Sequence, residues 1–185
     1  MKKTASAVLI AVLSFPMLGT SQSVPPPVPG KATAQAAPQA ATANPLADYM
    51  RQIKYDGFTL SVVLVNSKTV EVLFQAPTKY SMRARANQET VLFIQGAATK
   101  DFDLPGDFTI EQDGQTMNGA FSGFNGVKAG KIEAGKRIDG IVEFQKKVDI
   151  SKPFTVKNGA AGSVQFVLSA DAIKALAPPP TPGER

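Results

Sequence analysis

Three sets of side chains in this sequence could do chemistry. The densest is acidic: Asp101, Asp103 and Asp107 stand in the run Asp-Phe-Asp-Leu-Pro-Gly-Asp, with Glu111 and Asp113 beyond. Alternate carboxylates on a loop suit Ca2+, a hard cation that takes several oxygen ligands. The spacing is not that of an EF-hand, which needs a glycine at the sixth position and a closing glutamate. A polar loop built from turn-forming aspartates has the same composition and holds no ion. Calcium at Asp101, Asp103 and Asp107 is thus the cofactor the sequence raises, with no cofactor as the simpler reading.

The other two sets are basic. Lys79, Arg83 and Arg85 fall on one face of a strand if the alternation over 81–86 is extended, and Lys128, Lys131, Lys136 and Arg137 gather near a turn. Such patches hold anionic polymers, among them surface glycans or nucleic acid. Lys and Arg on edge strands also serve only to stop sheets from pairing edge to edge. Little aromatic character is interleaved with these charges, which argues against a single-strand nucleic-acid binder.

What is missing excludes more than what is present. The chain has no His, Cys or Trp. That removes imidazole acid–base catalysis, thiolate nucleophiles and the usual soft-metal ligands. Neither a G-x-S-x-G elbow nor an S-x-x-K pair occurs, so no serine nucleophile is signalled. Met50, Met82 and Met117 have no His or Cys beside them and read as core residues.

The elements that must position these groups follow from periodicity. Asn44-Pro45 resembles a helix start, and Leu46, Met50 and Ile53 recur at helical spacing, predicting a short N-terminal helix ended by Asp56-Gly57. From Phe58 the period becomes two, with Phe58, Leu60, Val62 and Leu64 on one side. Further strands are predicted over 70–74, 81–86, 90–95, 108–112, 115–121, 137–144, 154–157 and 163–168. Asp113-Gly114 is a hairpin signal, and Asn158-Gly159 marks another turn. Ser169 caps a final helical turn.

The ends carry a different message. Lys2 and Lys3 precede an apolar run over 5–18 and small polar residues up to Ser23, the pattern of a cleaved secretory signal peptide. The run is interrupted by Pro16 and is short for a membrane span. Without Cys there is no lipid-acceptor residue and no disulfide, so a packed core must hold the fold. Residues 24–44 are rich in Pro, Ala and Gln and read as a disordered tether. The formal charge is +5, and +3 without Lys2 and Lys3.

One stretch, over 129–144, reads Ala-Gly-Lys-Ile-Glu-Ala-Gly-Lys-Arg-Ile-Asp-Gly-Ile-Val-Glu-Phe, and Phe154-Thr155-Val156 follows. It resembles the penultimate strand of small exported bacterial immunoglobulin-like domains, a group that includes the mycobacterial immunoprotective extracellular antigens. Gly135, Gly140 and Phe144 match the pattern G-x-x-x-x-G-x-x-x-F, and the physical reading agrees: Gly135 allows a turn with positive φ, Gly140 permits close backbone approach inside a strand, and Phe144 fills the core. The match of specific residues is confined to 130–156, and the segment over 79–86 departs from it. The resemblance implies export and a seven-strand sandwich, and it brings no activity and no catalytic residues.

The sequence therefore predicts an all-β protein, an immunoglobulin-like antiparallel β-sandwich with a short N-terminal helix. Its expected organisation is a signal peptide over 1–23, a tether over 24–44, a domain over 45–176 and a disordered tail over 177–185. The expected function is that of an exported, non-enzymatic binding or assembly module, periplasmic or secreted. Its contacts would be with an envelope or extracellular protein or the cell surface, not with nucleic acid, and the mature chain would have no transmembrane segment. The alternative is a calcium or small-ligand carrier using the acidic loop over 101–113.

Overall fold

Alternating apolar residues need a sheet with one face buried, and a continuous apolar run needs both faces covered. Both patterns are realised in the computed structural model, which describes residues 44–160 and 162–177. The signal peptide, almost all of the tether and nearly the whole tail lie outside the described residues. The strands are β1 (Met50–Tyr55), β2 (Phe58–Leu64), β3 (Thr90–Ala98), β4 (Phe102–Leu104), β5 (Phe108–Gln112), β6 (Gln115–Gly123), β7 (Gly130–Ile132), β8 (Arg137–Phe144), β9 (Phe154–Asn158) and β10 (Gly162–Phe166). Three short helices accompany them: α1 (Thr69–Leu73), α2 (Thr78–Gln88) and α3 (Ala170–Lys174).

Eight strands share one sheet in the order β1-β2-β3-β8-β6-β5-β9-β10, and β4 pairs with β7 alone. Every strand pairing is antiparallel. Strand β1 also runs beside β10, so the sheet curls until its two edges nearly close a barrel. The all-β class agrees with the sequence. The immunoglobulin-like sandwich is not confirmed, because hydrogen bonding continues from β1 to β10 without dividing into two facing sheets.

The inner stripe is the one the period-two pattern marks. Phe58, Leu60, Val62, Leu64, Leu92, Ile94, Ile138, Val142 and Phe144 are all buried in one core. Phe154 and Phe166 stack within it at a centroid distance of 5.0 Å. The outer stripe of β2, β3 and β8 is also apolar: Val63, Val91, Phe93 and Ile141 form a second cluster with Val70, Phe74, Met82 and Ala86 of the α1–α2 region. Gly140 faces Ile94 and Gly123 across its two partner strands. A side chain there would strike the Phe121 ring and the Ser122 carbonyl, so this glycine is set by close approach.

Three local expectations are corrected. The N-terminal helix is only a 3-10 turn, Ala47–Tyr49, and β1 begins at Met50. Met50 and Ile53 do share a helix face by spacing, but in a strand they point to opposite sides. Both find cover here, Ile53 in the main core and Met50 against the second cluster. The strand expected over 70–74 is α1. Asn66 Oδ1 accepts from the Lys68 and Thr69 amides at 2.9 and 3.0 Å, and the Thr69 hydroxyl donates to Leu64 O at 2.9 Å. These bonds close a turn over 66–69 that runs on into the helix. Val70 and Phe74 are buried while Val72 is exposed, a four-residue spacing that fits a helix face.

The strand expected over 81–86 lies within α2. Met82 and Ala86 are buried and Ala84 is exposed. The alternation of Met82, Ala84 and Ala86 fits period two, but Ala, Arg and Met favour helix. The methionines are packing residues: Met82 sits in the second cluster, Met50 packs against it, and Met117 packs against the main core.

Candidate functional site

The four basic residues over 128–137 are brought to one place. Strand β6 ends at Gly123, and the chain turns through a short 3-10 segment, Phe124–Gly126, in which Asn125 and Gly126 have φ of 52° and 80°. The Val127 amide donates back to Phe124 O at 3.0 Å. This arm lies tight on β6, because a Cβ at Gly123 would collide with the Val127 carbonyl. It then runs into β7, which pairs with β4 and buries Ile132 and Leu104.

The second wall is the turn between β7 and β8. Gly135, with φ of 80°, donates its amide to Ala98 O at 2.8 Å, and the Lys136 amide donates to Glu133 O at 3.1 Å. Gly135 thus meets its expected role, a left-handed turn position that other residues adopt with strain. Asp101 fixes the same turn by accepting the Ala134 amide at 3.1 Å.

Between the arm and the turn lies an open groove of about 390 Å3, lined by Asn125, Lys128, Lys131, Glu133, Lys136 and Arg137 among others. Four cationic side chains and one carboxylate line it. Lys131 approaches Asp101 at 3.6 Å, and Arg137 approaches Asp139 at 3.7 Å. Lys131, Asp101 and Arg137 are exposed and Asp139 is half-buried, so at these separations both cations are held loosely. Among the described residues, Lys128 and Lys136 make no ion pair.

The other basic set is placed differently. Lys79 and Arg83 both pair with Glu71 of α1, the former at 3.1 Å, and Arg85 pairs with Glu143 of β8. These cations do not line a strand face; they tie α2 to its neighbours.

The acidic candidates are not gathered. Among the described residues, no three acidic side chains come close enough together to hold a metal ion. Asp101 is engaged by the Ala134 amide and Lys131. Asp103 stands opposite Lys131 in the β4–β7 register, where a lysine competes for any cation's place. Asp107 precedes β5, and its main-chain carbonyl accepts from the Gly159 amide at 3.1 Å and from Asn158 Nδ2 at 3.3 Å.

Sequence reasoning missed a polar knot at that point. Asn158, read as a turn residue, is fully buried at the end of β9. The Tyr55 hydroxyl of β1 donates to its Oδ1 at 2.7 Å, and its Nδ2 donates to Pro105 O at 2.9 Å. Burial, and secondarily Asp107, pushes the Tyr55 phenol up to about 12. Arg51 works further along the same seam: it lies over the Phe166 ring at 5.4 Å and donates to Val167 O at 2.8 Å. Side chains therefore hold β1 to β10 and to the neighbouring end of β9. Only the period-two reading of 50–55, which places Arg51, Ile53 and Tyr55 on one side, could have signalled this.

No known protein family and no curated protein match the chain. A solved structure, the secreted Mycobacterium tuberculosis protein MPT63, is similar at 14% identity, covering 66% of this chain and 94% of that one, with a TM-score of 0.35. That protein is described as secreted, and a likeness of this size carries no argument about this chain. No helix among the described residues is long and apolar enough to cross a membrane.

Proposed function

We propose that this chain is an exported, non-enzymatic binding module that attaches to an anionic cell surface through the groove between the 124–129 arm and the β7–β8 turn. The observation that supports it is the convergence of Lys128, Lys131, Lys136 and Arg137 on one open groove, two of them without ion pairs among the described residues. Clustered positive charge focuses field and attracts polyanions. Export rests on the charged, apolar and small-residue pattern over 1–23. The relation to exported immunoglobulin-like domains rests on Gly135, Gly140 and Phe144 and adds a compartment, not an activity.

The test is co-sedimentation of the purified protein with bacterial envelope fragments at low salt. The protein is expected in the pellet, and a variant with all four groove cations changed to Gln is expected in the supernatant. Equal pelleting of the two defeats the reading. The calcium-carrier alternative has less support, since Lys131 faces Asp103 and approaches Asp101. It predicts that Ca2+ raises Tm and that Asp101→Asn, Asp103→Asn and Asp107→Asn together abolish the rise.

A further inference from the structure

Resting on that reading, we infer that the polymer this groove accepts is an acidic glycan: a carbohydrate chain whose carboxylate or sulfate groups alternate with neutral hydroxyls. Three features of the lining point to it. First, no aromatic side chain among the described residues lines the groove. Proteins that hold single-stranded nucleic acid rely on aromatic platforms for successive bases, and this groove offers none.

Second, three of the four cations are lysines. A lysine ammonium is a point charge on a flexible stem, whereas arginine's planar fork suits one bidentate carboxylate or phosphate. Mobile point charges on two walls suit charges spaced along a chain. Third, the exposed Glu133 stands in the wall between Lys131 and Lys136. Among the described residues its carboxylate makes no ion pair. That carboxylate repels the charges of any polyanion, and the backbone of single-stranded DNA offers it no hydroxyl in compensation. A sugar hydroxyl, in contrast, donates a hydrogen bond to it, and a carboxylate is a strong acceptor. Asn125 on the opposite wall adds a side-chain amide that both donates and accepts. A groove of about 390 Å3 falls in the size range of small-ligand clefts, about 300–1,000 Å3.

The experiment uses the intact protein and three labelled probes of equal length: oligogalacturonate, neutral dextran and oligo-dT. Binding is read by fluorescence anisotropy at fixed salt. Oligogalacturonate is expected to bind about tenfold more tightly than oligo-dT, the worth of about 1.4 kcal/mol, and dextran is expected not to bind. Glu133→Gln should narrow the gap, because it relieves repulsion from both polyanions and removes the charge-assisted hydroxyl bond from oligogalacturonate alone. Lys136→Gln should lower the slope of log affinity against log salt by about one. The glycan assignment is overturned if oligo-dT binds as tightly as oligogalacturonate, or if Glu133→Gln leaves their ratio unchanged. If oligogalacturonate fails while envelope pelleting stays groove-dependent, only the glycan assignment falls. If pelleting also fails, the binding-module reading falls with it.

Discussion

Helix α2 and the segment from β6 to β8 each carry a tight group of Lys and Arg, and the two groups meet different surroundings. On α2, Glu71 and Glu143 come from neighbouring elements to meet Lys79, Arg83 and Arg85. In the groove, Asp101 and Asp139 stand at the rim at 3.6 and 3.7 Å, and Lys128 and Lys136 have no acidic partner among the described residues. The helix also has an apolar underside, with Met82 and Ala86 in the second cluster, while the arm is pinned by half-buried Phe124 and Val127 and the turn by a few backbone hydrogen bonds, leaving the four groove cations exposed. A basic cluster seated on buried apolar surface and matched by carboxylates is part of the scaffold. One raised on a glycine-shaped arm and left partly unmatched is available to a ligand.

That contrast can be broken most forcefully under α2. Met82→Ala should cost about 2–4 kcal/mol, the usual range for emptying a buried site, read as a lowered urea midpoint. Lys128→Ala should change stability by under about 0.5 kcal/mol, as for an exposed side chain. A Lys128→Ala cost comparable to that of Met82→Ala would place the arm in the scaffold too. Next in size, Gly123→Ala should cost about 1–3 kcal/mol by crowding, because the new methyl meets the Val127 carbonyl. It should also weaken polyanion binding by displacing the arm; unchanged binding would show that the arm does not form a wall. A smaller cost than either of these crowding or cavity effects belongs to Arg85→Ala, under about 1 kcal/mol and shrinking in high salt, since this cation is half exposed. It should leave envelope binding intact.

Much of this was legible in the sequence, and what was not has a physical cause. The inner core stripe from Phe58 to Leu64, the Asp113-Gly114 hairpin, the left-handed turn at Gly135 and the close approach at Gly140 all follow from local rules of pleat and backbone. The groove cations were visible as a cluster because they sit on one short arm and turn. Helices α1 and α2 were read as strands because Val70, Val72 and Phe74, and likewise Met82, Ala84 and Ala86, satisfy both a period of two and a spacing of four. The outer cluster of Val63, Val91, Phe93 and Ile141 decides between them by demanding a cover. The Tyr55–Asn158 knot was invisible because its partners lie 103 residues apart and meet only when the sheet curls. The curl itself depends on non-local pairings, which a local pattern does not specify.

On the proposed reading the groove cations, not the α2 cations, bind the polyanion. The direct measurement is envelope co-sedimentation of two variants side by side, both checked by Tm: Lys128→Gln, Lys131→Gln, Lys136→Gln and Arg137→Gln together, and Arg83→Gln with Arg85→Gln. The groove variant should keep its fold and lose the pellet, and the α2 variant should keep the pellet with a slightly lowered Tm. If the α2 variant loses binding while folded, or the groove variant pellets like the wild type, the claim is contradicted.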